Sequence, residues 1–215
     1  EPLSDAKLER AVLETARRAG VPAERVYMAD YSTKTNAINA SVNGFGPSLR
    51  IVIWDTALQK LTEEEILVLT AHEIAHYVRH DLEWSAAGQV GGALAVLFVG
   101  ERLIRFALRR WGERLRIPSL ADWRSLPLIL LVFSLLSFAS TPVACAISRQ
   151  SERAADQFAL ELTGRPAAAV SMYQKLALSS RNPLHPAPLT YWFRYTHPPI
   201  GERLAKAEAY GRGPQ

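Results

Sequence analysis

The stretch "LTAHEIAHYVRH", residues 69–80, holds three of the five histidines in the chain. On a helix, His72 and His76 project from one face, a spacing that lets two imidazole nitrogens grip one Zn²⁺. Glu73 follows the first histidine directly, so its carboxylate can take a proton from a water polarised by the metal. His80 extends the same face and reads as the solvent-side end of the helix. Such a pattern arises by chance in roughly one such chain in a hundred, so it needs support from elsewhere.

A catalytic zinc needs a third protein ligand and an open position. Glu152, in "SERAAD", is the candidate. Asp156 shares its helical face and is placed to accept the free N–H of a liganding histidine, fixing its tautomer. Taken alone, "SERAAD" reads more readily as a solvated helix.

Two apolar stretches between the motifs change that balance. "LPLILLVFSLLSFASTPVACAI", 126–147, carries no charge over 22 residues, enough for a bilayer core of about 30 Å. The alternative, a buried helix of a soluble protein, needs apolar lining on every side, which so small a chain can hardly supply. The shorter "SAAGQVGGALAVLFVG", 85–100, continues into "ERLIRFALRRW". Its Gly88, Gly91, Gly92 and Ala95 suit close helix packing in lipid. Two spans return the chain to the side it left, so Glu152 can meet His72 and His76. One span would leave it on the far side and abolish the site.

The remaining elements must hold these residues in place. Residues 4–19 read as a helix with Leu8, Ala11, Val12, Thr15 and Ala19 at helical spacing, stopped by Gly20 and Pro22. "RVYMADYS" and "SLRIVIWDT" read as strands separated by the turn "NGFGPS". Thr62 with Glu65 forms a capping box for the helix that carries the histidines, and Leu61 can staple onto Ile66. Glu63, Glu64 and Glu65 suit the positive end of its dipole. Beyond the second apolar stretch come a helix ending at Gly164, another from Pro166 to about Ser179, the loop "NPLHPAP", and a closing helix after "YWFRYTHPPIGER".

Bulk properties exclude some classes. At 215 residues the chain can bury a full core. The net charge is +4, without the aromatic-interleaved basic stripe of a nucleic-acid binder. The single cysteine, Cys145, rules out an internal disulfide framework and reads as packing. The chain opens at Glu1 without a signal-peptide pattern, and anything upstream is invisible in these residues.

"HEIAH", a two-span insert, "ISRQSERAADQFA" and "THPPIGER", in this order over nearly the whole chain, resemble the membrane zinc metallopeptidases that include the type I CAAX prenyl endopeptidases and the HtpX-type heat-shock proteases. The resemblance implies His72, His76 and Glu152 as zinc ligands, Glu73 as base, and Asp156 bonded behind a ligand. It maps His197 and Arg203 as the pair facing the scissile carbonyl, where either can donate to an oxyanion. "NASVNGFGPSLRIVIWDT" is similar to the CAAX branch, chiefly in "GFG", "RIV" and "DT". It implies a strand that pairs with an extended substrate, with Asn39 and Ala40 lining the groove. A second Asn-Ala pair at Asn36 leaves two candidates. The several upstream spans that help enclose a chamber in the CAAX enzymes are not among these residues.

The expected fold is α+β, mainly α: a gluzincin-like metalloprotease domain with a small N-terminal β-sheet and an inserted two-helix transmembrane hairpin. Residues 1–84 and 148–215 form the two halves of the protease domain and 85–147 the hairpin. The expected function is zinc-dependent endoproteolysis at the membrane by one Zn²⁺ per chain. Its substrates are CAAX-type or other membrane-associated peptides, with the lipid bilayer as a further partner. The alternatives are quality control of misfolded membrane proteins, a non-catalytic membrane scaffold, and a soluble metalloprotease with a buried hairpin. Orientation is divided. The connection 101–124 carries seven Arg against three acidic residues, which favours the cytoplasm for that turn. The resemblance instead implies a cytoplasmic zinc domain, and that placement is the expectation adopted.

Overall fold

Asp5 closes the N-terminus of helix α1 (Ala6–Arg18), its carboxylate accepting from the N–H groups of Lys7 (2.9 Å) and Leu8 (3.0 Å). The apolar stripe of α1 buries Leu8, Val12 and Ala16. The computed structural model describes residues 1–44, 46–181 and 183–213. Phe45 of "GFG" and Asn182 of "NPLHPAP" lie outside the described residues.

Three strands follow: β1 (Val26–Ala29), β2 (Ala40–Asn43) and β3 (Arg50–Trp54), in the order β1-β3-β2. β1 runs parallel to β3, with Val26 opposite Ile51, and β2 antiparallel to it, with Ala40 opposite Ile53. β1 and β3 are marked by their β-branched and aromatic residues; β2, Ala-Ser-Val-Asn, alternates but is only four residues long. Residues 1–3 cover the outer edge of β1, through Leu3 N–H to the Val26 carbonyl (3.0 Å) and Met28 N–H to the Glu1 carbonyl (2.7 Å). Among the described residues no strand covers the outer edge of β2.

The third strand ends earlier than "SLRIVIWDT" suggests. Helix α2 (Asp55–Lys60) starts at its last two residues. The reason is tertiary: the buried Asp55 carboxylate accepts from the N–H groups of Tyr31 (2.9 Å) and Ser32 (3.0 Å) as well as Thr56. Tying down a distant loop in this way leaves no trace in local periodicity.

Helix α3 (Glu63–Val78) begins with the expected capping box, Thr62 and Glu65 each satisfying the other's backbone N–H. It is the central helix, packed by α1, β2 and three of the helices that follow, the next two and the one from Pro166 to Ser180. His80, at φ 55°, breaks the chain into α4 (Asp81–Leu115). His80 is therefore in a left-handed link between helices and not on the last turn of α3. Helix α5 (Leu126–Thr163) runs without a break from the apolar stretch through Glu152 to the Gly164 cap, despite Pro142. Helices α6 (Pro166–Ser180), α7 (Pro188–Arg194) and α8 (Ile200–Arg212) complete the chain.

α4 and α5 pack antiparallel, Asp81 bonding Ser151 at one end and Gly100 meeting the Phe133 ring further on. A Cβ at Gly100 would lie 2.6 Å from that ring, so a larger residue there would have to push the ring aside. The boundaries at 84/85 and 147/148 fall inside these helices. Among the described residues one helix, Trp123–Thr163 with its leading 3₁₀ turn, is long and apolar enough to cross a membrane, at mean hydropathy 2.2. Only 6% of its most apolar window is buried, unlike a core helix. α4 does not pass the same test.

The core lies where α1, the sheet, α3, the C-terminal part of α5, α6 and α8 meet, with Val12, Ile51, Ile53, Ile74, Leu160, Met172 and Tyr173 at its centre. The metal-type residues sit at the edge of this core, beside the start of the α4–α5 pair.

Candidate metal centre

The 3.6-residue period of α3 stacks His72 and His76, and their Nε2 atoms lie 3.2 Å apart. From α5, Glu152 reaches the same point. Its Oε2 is 3.2 Å from His72 Nε2 and its Oε1 3.6 Å from His76 Nε2. One ligand atom from each of the three lies within 4.8 Å of the others. His72 and Glu152 are buried and His76 is half-buried.

This arrangement fits a metal ion on two observations. Glu152 Oε2 is buried and lacks a hydrogen-bond donor, which is costly unless a cation balances it. The donor set, two imidazole nitrogens and one carboxylate, is that of a catalytic zinc site. Burial disfavours an imidazolium at His72, yet the flanking Asp156 and Glu152 carboxylates outweigh it and push its pKa up to about 9. The cluster thus attracts positive charge, and a metal would take the place of that proton.

A second layer orients the first. His72 Nδ1 lies 2.9 Å from Asp156 Oδ1. Asp156 is held by Arg203, through Nε (2.9 Å) and Nη2 (2.5 Å), and by the Tyr173 hydroxyl (3.0 Å). Arg203 also stacks over the Tyr173 ring at 4.5 Å. His76 Nδ1 lies 2.8 Å from Asp81 Oδ2, which also accepts from the Ser151 hydroxyl (2.6 Å). Each histidine therefore has its own carboxylate, and both tautomers present Nε2 to the shared point.

His197 and Arg203, expected together at the scissile carbonyl, stand at different depths. His197 is exposed, with Nε2 3.4 Å from Glu152 Oε1, at the open side of the cluster. Its pKa is lowered, first by partial loss of water, with Arg203 adding to this and Glu152 opposing it. Arg203 is directed instead at Asp156, one layer behind, and its side chain is only 10% exposed. Glu73 is half-buried on α3, and burial raises its pKa. Gly201, in "HPPIGER", lies against the His185 ring and the Leu184 carbonyl, leaving no room for a Cβ.

Asn39 and Ala40 meet the sheet at the start of β2. The Trp54 N–H to Asn39 carbonyl bond (3.1 Å) sets the phase of the ladder. By alternation Ser41 and Asn43 face β3, while Ala40 and Val42 turn their backbone groups to the outer edge. The Asn39 side chain occupies the Ala40 N–H at 2.9 Å. Asn36 is off the strand, its carbonyl accepting from Lys60 Nζ (2.6 Å) and Ser179 Oγ (2.7 Å).

Sequence reasoning missed Asp81, Tyr173 and Arg149. Asp81 lies beyond a left-handed break, at no helical spacing from His76. Tyr173 is on α6, where only three-dimensional packing brings it to Asp156. Arg149, buried on α5, donates Nη1 to the Tyr191 (3.2 Å) and Tyr195 (2.7 Å) carbonyls, so it fastens the segment that leads to His197. Its one visible signal is a charge just past an uncharged stretch.

Known proteins resemble this chain along its length. A metalloprotease of Bacillus subtilis (strain 168) described as uncharacterized, YhfN, is 41% identical over 214 residues, covering 100% of this chain and 50% of the relative. A protease HtpX homolog of Streptococcus mutans is 30% identical, covering 92% of this chain and 71% of the relative. A CAAX prenyl protease 1 homolog of Arabidopsis thaliana is 30% identical, covering 94% and 47%. The chain thus spans about half the length of the Bacillus and plant relatives. The crystal structure of Ste24p from S. mikatae superposes on 97% of this chain and 51% of its own, with TM-score 0.74 at 24% identity, which shows a shared fold. The family model described as Peptidase family M48 matches residues 2–210. Taken with that match, the mainly helical fold and the His72–His76–Glu152 cluster are those of a member of peptidase family M48, the family to which this chain belongs.

Proposed function

We propose that this chain carries the catalytic site of a membrane-embedded zinc metalloendopeptidase. The observation that supports it best is the convergence of His72, His76 and Glu152 beside Glu73, at the root of an exposed apolar helix. Zinc held by these three ligands supplies Lewis-acid polarisation of the attacking water and of the scissile carbonyl. Glu73 takes the proton of the attacking water and returns one to the leaving amine; its raised pKa suits a group that must do both. His197, kept neutral by its lowered pKa, donates to the developing oxyanion. Asp156 and Asp81 hold the two liganding imidazoles in register. Arg203 serves by anchoring Asp156, which its two bonds to that carboxylate favour over direct contact with substrate.

An extended peptide pairs with the outer edge of β2, taking up the backbone groups of Ala40 and Val42. The Asn39 side chain then leaves the Ala40 N–H and turns to the peptide. α4 and α5 form a transmembrane hairpin within a gluzincin-like fold, residues 1–84 and 148–215 being the protease halves. The substrate class is a C-terminal CAAX-type or other membrane-associated peptide, prenylated or not. Cleavage of misfolded membrane proteins is the second reading, favoured by the likeness to HtpX homologs. The catalytic end faces the cytoplasm and the Arg-rich turn the opposite side.

The deciding experiment measures zinc content and chelator-reversible cleavage by detergent-purified protein, using a farnesylated CAAX peptide, its unprenylated form and an unfolded membrane protein. Preference for the first supports CAAX processing, and preference for the last supports quality control. Stoichiometric zinc with no turnover that depends on Glu73 would leave a scaffold in place of an enzyme.

A further inference from the structure

The far end of the α4–α5 pair carries a charge that the metal site does not use. Residues 101–124 hold seven arginines against three acidic residues, an excess equal to the net charge of the whole chain. All seven, Arg102, Arg105, Arg109, Arg110, Arg114, Arg116 and Arg124, are exposed. Two of the three acids are already engaged: Glu101 pairs with Arg105, and Asp122 with Arg124 (2.8 Å).

The helix register gathers these residues toward one end of the pair. With Asp81 beside Ser151 and Gly100 beside Phe133, the start of α5 at Leu126 stands opposite about residue 107 of α4. The last two turns of α4 project beyond it by about 12 Å, some 50 Å along the helix from the metal cluster. The connection is folded and not a loose loop. Ile117 and Ser125 are buried, and the Ser125 hydroxyl bonds the Leu120 carbonyl (2.8 Å). Trp111 and Trp123 stand exposed at this end, Trp123 at 82%. Indole rings at the end of an apolar span are characteristic of the headgroup region, and guanidinium groups bind phosphates there.

We propose that this arginine- and tryptophan-bearing end is a docking surface for anionic phospholipid headgroups. The exposed apolar helix α5 delivers it to the membrane surface, and its uncompensated charge selects acidic over zwitterionic lipid. Arg102 and Arg105 bend back, over the Phe98 ring (4.9 Å) and to Glu101, so Arg109, Arg110, Arg114 and Arg116 carry the contact. The proposal rests on the hairpin reading above, and its test separates the two.

The test uses the full chain with Trp123 as its only tryptophan, the other four being changed to Phe. It is reconstituted in phosphatidylcholine vesicles that carry a minor fraction of dibrominated phosphatidylglycerol or, in parallel, dibrominated phosphatidylcholine. Trp123 fluorescence is expected to be quenched several-fold more by the anionic lipid, and the excess to fall as salt is raised. The combined Arg109→Gln, Arg110→Gln and Arg114→Gln variant is expected to lose most of this excess, bringing the two lipids close to equal quenching. Should that variant fail to fold, the salt dependence of the parent still decides. Equal quenching by both lipids overturns the headgroup preference alone. Quenching by neither shows that this end does not reach lipid and overturns the hairpin reading with it.

Discussion

Asp156 shows how much one carboxylate can be asked to do. It is 2% exposed, and it faces His72 while accepting from Arg203 and Tyr173. Taking Arg203 away leaves that buried charge without its main partner, so Arg203→Ala is expected to destabilise the fold by about 3–5 kcal/mol. Thermal or denaturant unfolding of the zinc-loaded protein checks this, and an unchanged midpoint would place Arg203 outside the support of Asp156. With Glu73 as the proposed base, Glu73→Gln is expected to lower turnover about 10²–10⁴-fold with zinc content unchanged. Glu65 gives a pH signature away from the site. Burial raises its pKa, but Lys175 (2.6 Å), Ser171 and the Thr62 N–H outweigh this and bring it below the ordinary carboxylate value. A carboxyl with a lowered folded pKa stabilises fully above the unfolded value of about 4.3, and this is lost as pH falls through the folded pKa. Glu65→Gln should therefore cost about 1–3 kcal/mol at neutral pH, with the gap to the parent closing under acid. A gap independent of pH would show that the box, not the charge, is what matters.

At the scale of elements, the joint between α3, α4 and α5 deserves separate testing. Asp81 opens α4 and faces His76 of α3 and Ser151 of α5. Asp81→Ala is expected to weaken zinc binding by about 10–100-fold, measured by competition with a chelator, while leaving helix content intact. Helix starts and stops here were legible because they are local. Thr62 with Glu65, Gly164 and Pro166 each act within one turn, on orphan backbone groups. α2 was not legible, since its first residue is held by N–H groups more than twenty positions upstream. Nor was the continuity of α5. Apolar and polar halves read as separate units by composition, although nothing between them stops a helix: Pro142 costs one bond, and Ser140 and Thr141 turn their hydroxyls to the Ser137 carbonyl (2.9 and 3.0 Å).

For the whole molecule, the question is which side of a bilayer each end occupies. Ser119, exposed in the turn between α4 and α5, can be made the sole thiol as Ser119→Cys with Cys145→Ala. If the catalytic end is cytoplasmic, a membrane-impermeant maleimide should label this variant in intact cells. Protection in intact cells with labelling after lysis would reverse the orientation, as the arginine excess in that turn argues. Both outcomes leave the metal cluster and the α4–α5 register unchanged, because neither depends on sidedness.

The sequence by itself determined the pairing of His72 with His76, the cap that starts their helix, and the presence of a stretch too apolar for a small soluble core. These follow from helical period, orphan N–H groups and hydropathy, all of which act between near neighbours. Only the tertiary structure decided that Glu152 reaches within 4 Å of both histidines, that Asp81 and Asp156 stand behind one each, and that Arg203 faces Asp156. Those contacts join residues up to 84 positions apart, as in His72 with Asp156. They are set by how α3, α5, α6 and α8 pack around a shared core, and no local pattern of residue types encodes that register.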